Sequence, residues 1–515
     1  MKVCRILPIG LLIVSLSIAQ AQFDATFVQT PLSPSLLWRK WGNDLRNSHY
    51  NPNAAGPTNP RLLWFQPGGT IDEPLIDTPL STPFAQILWQ SFLQTDLLPE
   101  VLLCNPVHPF SNNLRYTHYR LYSGLSGSLL RTVWPYWGQA ATPLIFQTAV
   151  YFRTSDGTFV DFLGNWPVLV LAGGQYDVLV YSPDPLDPLT DGLLWIGNVG
   201  WPAYRSGLTA YTDGASGYFM LGDNTGLVRA VMVFWVVIID TEESVPYLYI
   251  DAPLAGAGAV YSLTGVSTYN SDVMVSTHHS GDILVYNTMS LGAPSLAWGN
   301  SLQGLSTTNP PDSFPIDSDI CDRPAVFSSN NRTLFVCATN YGRVYAVQLY
   351  DNNERFAPAK LWVAELGKPI MAGPSIGPDP INGNEETLYV VTRSSSTRST
   401  LVAIRAADGV VKWQRTLQNV SRCNPTIDRN GRIFIGDDRG YLYAINPDGS
   451  ILWARYLGAS IRVSPALVFI PPEAGGPLDV LYVAASNRML YAFVESTPIR
   501  IPPGGGLGTG VGGGW

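Results

Sequence analysis

The strongest constraint on this chain is a unit that recurs and closes on tryptophan. From residue 401 the sequence reads LVAIRAADGVVKW, ending at Trp413, then YLYAINPDGSILW, ending at Trp453, then MLYAFVE, ending at Glu495. The first two copies hold an alternating apolar strand, an Ala, a turn carrying Asp-Gly, and a second strand that ends on Trp. After each Trp comes a polar stretch and a Pro-led strand: Gly373-Pro374-Ser375-Ile376, Asn424-Pro425-Thr426-Ile427 and Ser464-Pro465-Ala466-Leu467. A further strand follows in each: LYVVT from Leu388, IFIGD from Ile433 and LYVAA from Leu481. Alternation with period two, bounded by Gly and Pro, predicts four short strands per unit. One twisted four-stranded sheet cannot bury both faces alone, so such units must stack on one another around an axis.

The same closing Trp recurs upstream at Trp362, Trp298, Trp195, Trp134 and Trp64, with steps from Trp64 of 70, 61, 103, 64, 51 and 40 residues. The 103-residue step is about twice a unit and hides one that lacks its Trp, containing LTAYT, GYFMLGD and the apolar run AVMVFWVVII, which is read as a buried strand. The stretch from Trp453 to Glu495 completes eight units. The expectation is an all-β, eight-bladed propeller of four-stranded antiparallel blades, with seven blades as the alternative. Each Trp is expected at the end of an outermost strand, filling the wedge between blades over an Ala or Gly and burying roughly 200 Å² of ring. Residues 22–63 are expected to lead in and supply a ring-closing strand, residues 64–497 to form the propeller, and residues 498–515 to be a Pro- and Gly-rich tail. Closing the ring removes a free sheet edge.

Composition excludes some functions. Charged residues are only 14% and the formal charge is −8. That balance lacks the clustered positive charge a nucleic-acid binder needs. Residues 1–21 read as a secretory leader: Lys2 and Arg5, an apolar run from Ile6 to Ile18, and small residues at Ala19 and Ala21. The run is too short to span a bilayer. The expected product is a secreted monomer, periplasmic in a bacterial host, without a membrane span. Its remaining cysteines, Cys104, Cys321, Cys337 and Cys423, would then meet a disulfide-permissive compartment. A turn centred near residue 329 would set Cys321 opposite Cys337, the candidate bridge, with four free thiols as the alternative. Asn331 and Asn419 begin glycosylation sequons.

The copies ending at Trp413 and Trp453 resemble the PQQ-like repeat, the blade unit of quinoprotein dehydrogenases and of a bacterial outer-membrane assembly propeller. Its motif runs Ala-x-Asp-x-x-x-Gly-x-x-x-Trp. Ala403, Gly409 and Trp413 match, with Arg405 where the family has Asp; Ala444, Asn446, Gly449 and Trp453 match with one residue deleted from the turn. The segment from Trp38 to Pro52 resembles the family's lead-in to the first blade. The dehydrogenases of this family hold a planar quinone over a Trp on the axis, with Ca²⁺, an Asp base and, in many, a bridge between adjacent cysteines. This chain has no adjacent cysteines and no Cys-x-x-Cys-His, and no residue takes the Ca²⁺ or base role by motif. Fold alone does not carry function.

Other constellations have structural readings. Asp312, Asp317, Asp319 and Asp322 read as a solvated acidic loop. His278 and His279 are adjacent on a strand and so point to opposite faces, which disfavours one shared ion. Asp428-x-Asn430-Gly431 resembles the start of a calcium loop but reads as a hairpin turn. The resulting expectation is a non-catalytic binding or scaffold module with no cofactor, and with no catalytic, cofactor-binding or metal residue assigned. Its loops are lengthened on one face to meet a protein or glycan partner. The alternatives are a diverged PQQ- and Ca²⁺-dependent alcohol or sugar dehydrogenase and a carbohydrate-binding adhesin.

Overall fold

The computed structural model describes residues 48–67, the strands and a few turns between 85 and 350, and residues 356–496 apart from 471–476 and 488. Every regular element among them is a strand except one turn of 3-10 helix, Pro380–Asn382. The strands form antiparallel meanders. Four-stranded sheets span 85–133, 260–301, 325–365 and 370–416.

In the sheets described most fully, burial falls from the inside outward. In the 426–456 sheet the strands Thr426–Asp428, Ile433–Gly436 and Tyr441–Ile445 are almost wholly buried, whereas Ile451–Tyr456 is mostly exposed. Inner strands are covered on both faces by neighbouring sheets. Their sequences therefore run as continuous apolar stretches, while the outermost strand keeps polar residues.

Three arrangements depart from a simple meander. Pro60–Pro67, from the N-terminal part of the chain, is the outermost strand of the sheet built from Ala466–Ile470, Leu478–Ala484 and Met489–Glu495. The strand runs through the expected boundary at residue 64, so the lead-in and the first Trp lie in one element. Tyr50–Asn51 adds a fifth strand to the 426–456 sheet, parallel to Thr426–Asp428. Between 144 and 255 the expected units share one nine-stranded sheet, because the long strands Leu144–Arg153 and Leu227–Ile238 pair in parallel. The run AVMVFWVVII lies largely within the second of these.

Prolines begin two of the three Pro-led strands: Thr426–Asp428 and Ala466–Ile470 start immediately after Pro425 and Pro465. Pro374 instead lies inside Ile370–Asp379, where the register shifts between Ala372 and Ser375. A bulge at that point accommodates the missing N–H.

The cysteine geometry needs correction. Ala325–Ser329 and Arg332–Ala338 do form a hairpin, but Ala325 pairs with Val336, so the turn centres between residues 330 and 331. The expected centre near residue 329 is thus displaced, and Cys321, the other half of the candidate bridge, lies outside the described residues. Cys423 is a buried free thiol.

Candidate functional site

Sheet-to-sheet docking is built from the closing tryptophans. Trp362 donates its Nε1–H to the Ala406 carbonyl at 3.0 Å, Trp413 to Pro447 at 2.8 Å and Trp453 to Pro57 at 2.9 Å. In each case the acceptor lies on the next sheet or on the segment leading into it. Gly409 and Gly449 have φ of +78° and +81°, and a Cβ on either would come within 2.6 and 2.8 Å of the Trp362 and Trp413 rings. Only glycine accepts both that backbone and that contact. Trp195 and Trp298 stand on the outermost strands Leu193–Asn198 and Ser295–Ser301. Trp134 lies outside the described residues.

The N-terminal segment crosses from the inner strands to the rim. Ile376 N and Ile427 N donate to the carbonyls of Ser48 and His49, and Asn51 Nδ2 donates to Leu467 O at 2.8 Å. Residues 48–51 thus bond to the innermost strands of three successive sheets. Farther along, Gly56 N donates to Asp428 Oδ2 at 2.9 Å, Pro57 O accepts from Trp453, and Glu495 accepts from the backbone N–H groups of Thr58 and Asn59.

One end of the sheets carries the hairpins 379–385, 405–411, 428–433 and 445–451. Its charges are held in ion pairs and turn hydrogen bonds. Asp428 is fully buried, and Arg432 meets its Oδ2 at 2.7 Å while Asn430 N and Arg432 N donate to Oδ1. The hairpin reading of Asp428-x-Asn430-Gly431 matches this geometry, with Gly431 at φ +72°. Burial outweighs Arg432 and raises the Asp428 pKa. Asp479 is raised for the same reason, burial, with the Asp428 charge adding to it. Asp379 differs: burial works to raise its pKa, but Lys412 and Asn382, aided by Ile381 N, together hold it below the usual carboxylate range.

The opposite end carries the hairpins 393–399, 436–441 and 484–489 and the connections 365–370, 416–426 and 456–466. These are sewn together by backbone hydrogen bonds. Ser399 N donates to Asn419 O, Asp438 N to Val420 O, Ile461 N to Asp437 O and Ser486 N to Ser460 O. Buried Asp437 anchors the belt, accepting from Arg439 N and Tyr441 N at 2.9 Å and from Asn419 Nδ2 and Tyr443 Oη at 2.8 Å. The sequon residue Asn419 is therefore engaged with Asp437, and Ser421 donates to Gly436 O. Asp438 receives Arg422 Nε at 3.0 Å and Arg462 Nε at 2.9 Å. Sequence reasoning missed this belt because its members come from separate repeats.

The other residues singled out from the sequence are scattered. His278 ends the strand Asp272–His278 and Asp282 begins the next, while His279, Asn331, Asp312, Asp317, Asp319 and Asp322 lie outside the described residues. Among the described residues, no three His, Cys, Asp or Glu side chains gather as a metal site. The inner edges at 376, 427 and 467 carry the chain's own segment, and Asp428 and Asp379 are engaged by Arg432 and Lys412. Among the described residues this arc gathers no set of converging oxygens of the kind Ca²⁺ takes.

Residues 354–496 match the family model described as outer membrane protein assembly factor BamB. No curated protein matches the chain by sequence. Among solved structures, quinohemoprotein alcohol dehydrogenase from Comamonas testosteroni is similar at 10% identity and TM-score 0.53, over 92% of this chain and 84% of that one. The Pseudomonas putida quinohemoprotein alcohol dehydrogenase ADHIIG gives 9% and 0.54, over 90% and 82%. Saccharomyces cerevisiae Sqt1 gives 14% and 0.50, over 79% and 97%. At these identities the likeness is one of fold: an all-β propeller of antiparallel sheets. Residues 354–496 thus match a family of PQQ-like repeats.

Proposed function

We propose that this chain is an exported, eight-bladed PQQ-like β-propeller that acts as a non-catalytic binding or scaffold module. Dividing the nine-stranded sheet into the meanders 144–198 and 209–250 gives the eighth blade. The observation that carries the functional reading is the course of residues 48–59. Residues 48–51 bond along the inner strands of three sheets, where an axial cofactor would need open edges and converging oxygens, before the segment runs out to the rim. Trp362, Trp413 and Trp453 point the same way, because each indole N–H is bound to a carbonyl of the adjoining blade or lead-in segment rather than offered to a sugar. The leader reading of residues 1–21 puts the work outside the cytoplasm.

The test is reconstitution. Purified protein is mixed with PQQ and Ca²⁺, desalted, and assayed for quinone absorbance and for dye reduction with primary alcohols and sugars. Neither retained quinone nor dye reduction is expected. Retained quinone with substrate-dependent dye reduction overturns the scaffold reading in favour of the dehydrogenase.

A further inference from the structure

The two ends of the 370–416, 426–456 and 466–495 sheets differ in charge. At the belt end Lys368, Arg393, Arg398, Arg422 and Arg439 are exposed and Arg462 is partly so. The carboxylates there are engaged: Glu365 by Arg343 at 3.3 Å, Asp438 between Arg422 and Arg462, and Asp437 within the belt. At the other end carboxylates outnumber cations: Asp408, Asp448 and Glu495 are exposed and Glu385 and Asp479 partly so, with Arg405 paired to Asp408 and Glu385, Lys412 to Glu385 and Arg429 to Asp479. Within these three sheets of a chain of net charge −8, cations thus concentrate at one end.

We propose that the belt end, formed by hairpins 393–399 and 436–441 and connections 416–426 and 456–466, docks an acidic, extended segment of a partner protein. The proposal rests on the binding-module reading and adds its surface and partner chemistry. Arginine suits this partner because its planar fork pairs with carboxylates in two-point fashion. The backbone bonds across the belt hold the arginine-bearing turns in fixed relation, so little ordering cost remains on binding. A nucleic acid would meet the carboxylate of Asp438 between Arg422 and Arg462. A membrane surface would call for apolar insertion, but the exposed large apolar side chains described stand on outermost strands or in turns of the opposite end.

The experiment uses the full chain and a fluorescein-labelled twelve-residue peptide of Asp, Glu and Ser, read by anisotropy. Binding is expected and should weaken as NaCl rises from about 50 to about 300 mM. The double variant R398E/R439E should lose about tenfold in affinity, and R398Q/R439Q a smaller part of that. The charge-matched R405E/R429E, at the opposite end, should bind as the parent does. The glutamine pair keeps the test decisive where the glutamate pair alters folding. No peptide binding, equal loss from both charge-matched variants, or tighter binding to a single-stranded oligonucleotide or to anionic vesicles overturns the proposal. Absence of peptide binding by the parent chain, without quinone turnover, sinks this surface alone, whereas quinone turnover sinks the scaffold reading.

Discussion

The indole of Trp64 and the phenol of Tyr482 donate to one acceptor, the Gly124 carbonyl, at 3.0 and 2.8 Å, with their rings 5.7 Å apart. Trp64 comes from the N-terminal strand Pro60–Pro67 and Tyr482 from Leu478–Ala484, two strands of one sheet, while Gly124 lies in the last turn of the 85–133 sheet. A Cβ on Gly127, at φ +72°, would come within 2.6 Å of the Trp64 ring. The same pairing of Trp with a turn glycine joins Trp362 to Gly409 and Trp413 to Gly449. Sheets far apart in sequence are thus joined by the device that joins consecutive ones.

Sharing an acceptor makes the two donors interdependent. Trp64→Phe or Tyr482→Phe leaves Gly124 O with its other donor, so each hydrogen-bond loss should cost below about 1 kcal/mol beyond the change in ring volume. The double variant strands a buried carbonyl and should cost about 2 kcal/mol from this source. Urea unfolding of the four proteins gives the cycle, and single losses that simply add would contradict the shared acceptor.

Two glycines separate backbone strain from packing. Gly449 and Gly458 have φ of +81° and +86°, but a Cβ meets the Trp413 ring at 2.8 Å in the first and nothing within 4 Å in the second. Gly458→Ala should cost about 1–2 kcal/mol, the left-handed backbone penalty. Gly449→Ala adds displacement of Trp413 and should cost about 3 kcal/mol. Equal urea midpoints for the two variants would show that the indole does not rest on Gly449.

Much of the blade unit is visible in the sequence because it is local. LVAIRAADGVVKW places strand, turn glycine and Trp413 within thirteen residues, and the antiparallel pairing of Ala403 with Trp413 follows from that spacing. The path of residues 48–59 is not visible, because its partners, Asp428, Leu467 and Glu495, lie hundreds of residues away and nothing in their local sequence points to this segment. Pro374 resembles a strand opener because its flanks match those of Pro425 and Pro465; only the pairing of Ala372 with Val391 and of Ser375 with Tyr389 reveals the bulge. The turn joining Ala325–Ser329 to Arg332–Ala338 centres between one and two residues beyond the expected position, because Ser329 and Arg332 both pair within the hairpin. The charged ends are hidden for another reason. Arg398, Arg422 and Arg439 belong to two sheets and alternate in sequence with residues of the opposite end, so only the meander sorts them.

Burial makes Cys423 inert. Its thiol is fully enclosed, accepts from Gly436 N at 3.1 Å, and has its pKa pushed up to about 12, chiefly by burial. Thiolate is the reactive form. Iodoacetamide at pH 8 should leave the Cys423 peptide unmodified in the native protein and alkylate it fully in urea, as read by mass spectrometry. Alkylation of the native peptide within minutes would contradict the enclosure.

Stability should respond to pH in opposite senses at two buried aspartates. Asp379 is held below its ordinary value, so its native state binds fewer protons than the unfolded chain as pH falls toward that lowered pKa. Its contribution is present above about pH 4 and is lost as pH falls through the lowered value. Asp428 is raised, chiefly by burial. There the native state keeps a proton the unfolded chain has released, so the contribution is full below about pH 4 and is lost as pH rises through the raised value. Relative to the parent, D428N should therefore become progressively more stable as pH rises above about 4, on top of a constant cost from stranding Arg432. D379N should fall further behind the parent as pH rises from about 2 to 4. Urea midpoints at intervals from about pH 2 to 7 measure both slopes, and slopes of the same sign would show that burial does not dominate at Asp428.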